Sequence, residues 1–122
     1  MITIVQKNGT NVTKILSSCT SDSLEELHEV FWKGIVDQKA ITTAHIKYNT
    51  NVGIGDYDGP NYYPLVFGGN GIRLMVSCVT SGYRGQGPRG TIEALKMAGF
   101  NVSDKVKEII YTVKNLDYYL YK

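Results

Sequence analysis

The chain has 122 residues, one ordinary domain's worth, enough to bury a core without disulfides or a structural metal. Thirteen basic residues against eleven acidic ones leave a net charge of +2, which excludes the global positive footprint of a duplex-binding protein and restricts charge-driven binding to a local patch. No stretch approaches the roughly 18 apolar residues of a membrane span, and the opening Met1-Ile2-Thr3-Ile4-Val5-Gln6-Lys7 lacks the basic and apolar segments of a secretory signal, so a cytoplasmic protein with no membrane partner is expected.

Ile2 to Lys7 and Thr10 to Ser17 are β-prone runs around Asn8-Gly9, a pair that tolerates the positive φ of a tight turn, and they predict an opening hairpin. Asp22 or Ser23 can then cap a helix, with Glu25 or Glu26 three residues later. Leu24, Leu27, Phe31 and Ile35 supply its apolar stripe, and its end is expected near Lys39. His28 lies near that stripe and is expected to be packed or half-exposed. Ile41 to Asn49 alternates, Ala44, Ile46 and Tyr48 facing one way and Thr43, His45 and Lys47 the other, as a half-buried strand requires.

Thr50 to Gly71, rich in Gly, Asn, Asp, Pro and Tyr, reads as a long ordered loop with room for a short strand at Leu65 to Phe67. Ile72 to Thr80 alternates again and predicts a strand with Ile72, Leu74, Val76 and Cys78 on one face. A short helix from Thr91 to Ala98 is stopped by Gly99. Ser103 or Asn101 can cap a second one carrying Val106, Ile109, Ile110 and Val113, although the β-branched run within it keeps a strand open for residues 103–118. The tyrosine-rich tail Leu116 to Lys122 is expected to pack on the body or on a partner subunit. The expected fold is a single α+β domain over 1–122, a small mostly antiparallel sheet with two or three helices.

Between the strand and the helix lies Gly82-Tyr83-Arg84-Gly85-Gln86-Gly87-Pro88-Arg89-Gly90-Thr91. Glycines let a backbone approach a bulky anion, and free N–H groups at a helix start stabilise phosphate. The chain uses ten lysines but only three arginines, Arg73, Arg84 and Arg89, and no Asp or Glu falls between Asp58 and Glu93. A guanidinium binds phosphate through two parallel hydrogen bonds and also stacks on bases. Tyr62, Tyr63, Phe67 and Tyr83 share this acid-free region as stacking partners, and Asn70, flanked by glycines, can read a base edge or ribose. The candidate ligand-binding residues are therefore Tyr62, Asn70, Arg73, Tyr83, Arg84, Gly85, Gln86, Gly87, Arg89, Gly90 and Thr91. A purely conformational role for a glycine-rich connection is the competing reading.

Gly85-x-Gly87-x-x-Gly90 matches the dinucleotide fingerprint in letters only: Pro88 removes a needed N–H, and no strand ending in an acid follows about 20 residues on. There is no Gly-Lys-Ser/Thr of a P-loop. No nucleophile with its base and no paired carboxylates stand near the loop, and Asp56 and Asp58 sit in a turn that favours aspartate for conformational reasons. Cys19 and Cys78 are expected as buried free thiols, and neither belongs to a CxxC that would frame zinc. No cofactor, metal or catalytic group is expected.

The length, the opening hairpin and helix, and the Gly82 to Thr91 stretch resemble the phage Thoeris anti-defence sponge proteins, in particular clostridial members, along the whole chain. The resemblance implies sequestration, without cleavage, of the cyclic ADP-ribose isomers made by bacterial TIR-domain enzymes, inside an infected host cell. It also implies homodimers assembling into hexamers, with pockets at subunit interfaces, and in some members capture of cyclic trinucleotides at a separate site. Two other classes stay open: an enzyme acting on an ADP-ribose nucleotide, and a small RNA-binding or protein-interaction module.

Overall fold

The computed structural model describes all 122 residues. Strands β1 (Ile2–Lys7) and β2 (Thr10–Ile15) form the opening hairpin, with Asn8 and Gly9 at φ 53° and 80°, the left-handed pair its two-residue turn needs. Helix α1 (Thr20–Trp32) and a short 3-10 turn (Gln38–Ala40) lead to β3 (Ile41–Asn49); β4 (Leu65–Gly69) and β5 (Ile72–Val76) form a second hairpin; α2 (Gln86–Met97), α3 (Asp104–Thr112) and β6 (Asn115–Tyr121) complete the chain.

The six strands make one sheet in the order β1-β2-β5-β4-β3-β6. Four of its five pairings are antiparallel, and only β2 with β5, from Asn11 opposite Ile72 to Ile15 opposite Val76, is parallel. The single α+β domain with a mostly antiparallel sheet is thus as expected.

One face of the sheet carries the core. Ile15, Ala44, Ile46, Leu65, Phe67, Leu74, Val76 and Leu116 meet Leu27 and Val30 of α1, Ile92 and Leu95 of α2, and Val106 and Ile110 of α3. The alternation of β3 is as read, with Ala44, Ile46 and Tyr48 buried and His45 and Lys47 on the other face. That other face is partly covered by the segment leading into β4, where Tyr63 packs with Val12 and Met75. No helix is long and apolar enough to cross a membrane.

Several boundaries differ from the periodicity. Helix α1 starts at Thr20 behind Cys19, with no side-chain cap, so neither Asp22 nor Ser23 caps it, and Ser23 is fully buried. It stops at Trp32 rather than near Lys39, because Gly34 takes φ 71° and Ile35 N–H returns to the Val30 carbonyl, the closing bond of a Schellman motif. Val30 therefore completes the buried stripe while Ile35 is exposed. Strand β5 ends at Val76 because Cys78 adopts φ 64° and swings the chain off the sheet. Helix α3 is helical as far as Thr112, capped by Ser103, whose Oγ accepts from Val106 N–H at 3.2 Å, and the tail beyond it is an edge strand.

Helix α2 begins at Gln86, five residues before the expected start at Thr91, so half of the glycine stretch is helix. Pro88 fits there because first-turn N–H groups have no intrahelical acceptor. A Cβ on Gly87 would overlap Thr80 and Tyr83, and one on Gly90 would overlap the Thr20 methyl. Both glycines serve close packing, Gly90 that of α2 on α1. Gly90→Ala should therefore destabilise the fold by about 1–3 kcal/mol in chemical denaturation, the usual cost of overpacking; an unchanged midpoint would show that the two helix starts are not in close contact.

Strand β6 is tied to β3 by Asp117, whose carboxylate accepts a hydrogen bond from His45 Nε2 at 2.6 Å, with Lys47 3.9 Å away. The His45 hydrogen bond holds the Asp117 carboxyl below its ordinary value. The contribution is in place above the unfolded carboxylate value and is lost as pH falls through the lowered one. In His45→Ala the NMR titration midpoint of Asp117 should rise toward the ordinary range; an unmoved midpoint would assign the shift to another group.

Candidate functional site

Because β2 and β5 run side by side in the same direction, their carboxyl ends leave the sheet at one edge, and each leads through a short polar turn into a helix. The turns are Leu16-Ser17-Ser18-Cys19 before α1 and Ser77 to Gly85 before α2. They are laced together: Ser17 N–H donates to Ser77 Oγ at 2.9 Å, Thr20 Oγ1 to the Cys78 carbonyl at 2.8 Å, and Cys78 Sγ to the Ser17 carbonyl at 3.2 Å. This lacing holds Cys78 in its left-handed conformation, a strain of the kind that persists only where surrounding contacts over-determine it.

Above these turns lies a cleft of about 460 Å3, lined by Ser17, Ser18, Cys19, Thr20, Ser77, Cys78 and Thr80, with Tyr48, Ile54, Asn61, Tyr62, Tyr83 and Gln86 around them. A second cavity of about 310 Å3 adjoins it, sharing Thr20 and Gln86 and adding Arg89, Gly90 and Glu93. Neither α1 nor α2 has a side-chain N-cap, so the first-turn amides of two helices are left unbonded at one edge of the sheet. The partial positive charges of both helix starts add there.

Tyrosines form the walls. Tyr83 is anchored by its hydroxyl to Thr80 Oγ1 at 2.7 Å, and its ring packs against Gly85. Tyr62 is braced by Tyr57 (centroids 4.8 Å apart) and Tyr63 (5.3 Å). Burial, reinforced by Tyr83, pushes the Tyr48 phenol up. Burial, with Tyr57, Tyr62 and Asp58 around it, pushes the Tyr63 phenol up to about 12. The loop that carries Ile54 is pinned by Asn61, which accepts from Asn49 N–H at 2.9 Å and donates to the Gly53 carbonyl.

Of the eleven residues read from the sequence, Tyr62, Tyr83, Gln86, Arg89 and Gly90 line these two cavities. The others do not join them. Arg73 lies on the opposite face of the sheet, and Asn70 sits in the β4 to β5 turn at the far end of the strands. Arg84 points to α3, where its Nη2 donates to both Glu108 carboxylate oxygens at 3.1 and 3.3 Å and its guanidinium lies 4.9 Å above the Tyr111 ring. Thr91 is fully buried and gives its hydroxyl to the Thr80 carbonyl at 2.6 Å. Gly85 is the N-cap residue of α2, and its carbonyl accepts from Arg89 Nε at 3.4 Å; Gly87 packs. One continuous cradle of three arginines is therefore not formed: an acid absent from the local sequence arrives from α3.

The sequence reading missed Tyr48, Asn61 and the two small polar turns. Their signal was present as a repeat, Ser18-Cys19-Thr20 and Ser77-Cys78-Val79-Thr80, each following a strand and preceding a helix. The thiols are free, and Cys19 is exposed rather than buried. Both histidines lie off the cleft: His28 stacks on Trp32, and His45 is on the helix-free face. No protein-family model, curated protein or solved structure matches the chain.

Proposed function

We propose that this chain binds a cyclic nucleotide signal, a cyclic ADP-ribose isomer, at the β2/β5 edge and sequesters it without chemical turnover, thereby blocking Thoeris-type anti-phage signalling. The observation that carries the reading is the convergence of two uncapped helix starts on a tyrosine-walled cleft. Its volume of about 460 Å3 falls in the roughly 300–1,000 Å3 range of small-molecule sites. In this reading the pyrophosphate meets the amides at Thr20 and Gln86 and the Arg89 guanidinium, which forms no ion pair although Glu93 lines the same cavity. The base stacks against Tyr62 or Tyr83, and the serine and threonine hydroxyls meet the riboses. The cleft is lined mainly by hydroxyls, tyrosine rings, amides and the thiols of Cys19 and Cys78, and the adjoining cavity adds the single carboxylate of Glu93; neither holds a histidine or a pair of carboxylates for acid–base chemistry. Self-association to a homodimer, or further to a hexamer, belongs to the same proposal, as the resemblance implies.

Isothermal titration with cyclic ADP-ribose isomers tests the site. Tyr83→Ala and Arg89→Ala are each expected to weaken binding at least ~tenfold. Arg84→Ala, which removes an ion pair to Glu108, is expected to stay within about twofold. Equal loss in all three variants, or in none, would place the ligand elsewhere. Chromatography of the ligand released by heat denaturation separates sequestration from catalysis: intact ligand supports the reading, and a linear or hydrolysed product overturns it.

A further inference from the structure

The helix-free face of the sheet carries a second set of groups that the cleft does not use. In register across the strands, Arg73 of β5 lies beside Gly68 of β4, Gly68 beside Thr43 of β3, and Thr43 beside Tyr121 of β6. Gly68 has no side chain, and the Thr43 hydroxyl leans over it, 2.8 Å from where a Cβ would stand, so the row stays low between Arg73 and Tyr121. The next row places Lys14, Met75, Val66, His45 and Tyr119 side by side.

Three rings stack along one side: His45 on Tyr119 with centroids 4.0 Å apart and planes within 7°, then Tyr119 on Tyr121 at 6.3 Å and 17°. Tyr119 and Tyr121 remain 52% and 70% exposed. Arg73, facing them across the glycine floor, is exposed and has neither a hydrogen-bond nor an ion-pair partner, whereas Arg84 pairs with Glu108 and Arg89 reaches the Gly85 carbonyl. Between Arg73 and His45, under the segment that carries Asp58 and Tyr63, lies a depression of about 190 Å3 that Lys47 also lines; Asp58 is held by Lys14 at 2.5 Å, and Tyr119 and Tyr121 stand outside the depression, beyond His45.

We propose that this face is a second binding site, for a single-stranded oligonucleotide, with bases stacked on Tyr119 and Tyr121 and backbone phosphates met by Arg73 and Lys47. Stacking on exposed rings needs bases whose faces are free, which a duplex denies and a single strand offers. Sequence-tolerant binding of this kind joins aromatic platforms to a few cations, and the face supplies both. Lys14, Lys47 and Arg73 against Asp58 and Asp117 leave an excess of one positive charge, so stacking carries more of the affinity than charge does. Two phosphate contacts correspond to a slope of log K against log[salt] of about −1.4.

Fluorescence anisotropy with a 5′-labelled ten-nucleotide oligoadenylate tests this, as RNA, as DNA and as a blunt duplex of the same length. The expected result is micromolar binding of the single strands and at least ~tenfold weaker binding of the duplex. Arg73→Gln and Tyr119→Ala should each lower single-strand affinity roughly tenfold, while Arg89→Ala leaves it unchanged. Tighter RNA than DNA assigns a contact to the 2′-hydroxyl, and equal binding assigns any single strand; both support the site. Circular dichroism melting of each variant checks the fold, and should Tyr119→Ala melt early, Tyr119→Leu keeps bulk without the ring. No binding of either strand overturns the proposal, as do equal binding of the duplex and indifference to both Arg73→Gln and the Tyr119 variant. Loss on Arg89→Ala moves the strand to the cleft and overturns the proposal for this face. A Tyr119→Ala chain that changes oligomeric state in sedimentation and binds no oligonucleotide assigns the face to a second copy, which also overturns it. Titration of the Arg73→Gln and Tyr119 variants with cyclic ADP-ribose isomers is expected to match the unaltered chain, so the two readings fail separately.

Discussion

The parallel pairing of β2 with β5 is the constraint on which the rest of the molecule depends. Every other strand pair is antiparallel and returns the chain to the opposite edge. This one pair sends two successive strand-to-helix connections out at a single edge, so that α1 and α2 start side by side. A ligand site outside the carboxyl ends of parallel strands is the general consequence of that geometry. Here the same edge also receives the end of β3, which contributes Tyr48 and, through the loop that follows, Ile54, Asn61 and Tyr62.

Close approach of the two helix starts has a steric requirement, and the glycines meet it. Gly90 admits the Thr20 methyl and Gly87 admits Thr80 and the Tyr83 hydroxyl. The hydroxyls of Thr20 and Thr91 then satisfy backbone carbonyls freed beyond the end of β5, those of Cys78 and Thr80, while the Thr80 hydroxyl bonds the Tyr83 hydroxyl. The polar lining is therefore divided. Some hydroxyls are spent on the scaffold, and the first-turn amides of both helices are left without caps. A scaffold stabilised by its own side-chain bonds can leave helix amides unpaired at a wet surface, where water or a ligand satisfies them.

Three arginines close in sequence end in three environments. Arg73 alternates onto the helix-free face because β5 has period two, Arg84 turns toward α3, and Arg89 lies on the exposed side of α2 beside the cleft. Proximity along the chain says little about proximity in space once a strand, a turn and a helix intervene. The unpaired guanidinium of Arg73 and the row His45, Tyr119 and Tyr121 give the helix-free face chemistry of its own.

By itself the sequence determined what local physics determines: the Asn8-Gly9 hairpin, the alternation of β3, the Gly99 stop and the α+β class follow from turn chemistry and periodicity, and of the two caps it offered for α3, Asn101 and Ser103, the structure uses Ser103. It also named Tyr62 and Tyr83 as stacking partners and Gln86, Arg89 and Gly90 for the helix start after a glycine-bearing turn, and the structure brings these five to the two cavities. Only the tertiary structure decided that β2 pairs with β5, that Glu108 neutralises Arg84, that Thr91 is buried, and that Ser17, Cys19 and Tyr48 share one cleft with Cys78. Those contacts join residues about 25 to 60 positions apart in the chain. Periodicity and turn propensity carry no information over such a span, because strand order is chosen by which apolar faces bury each other.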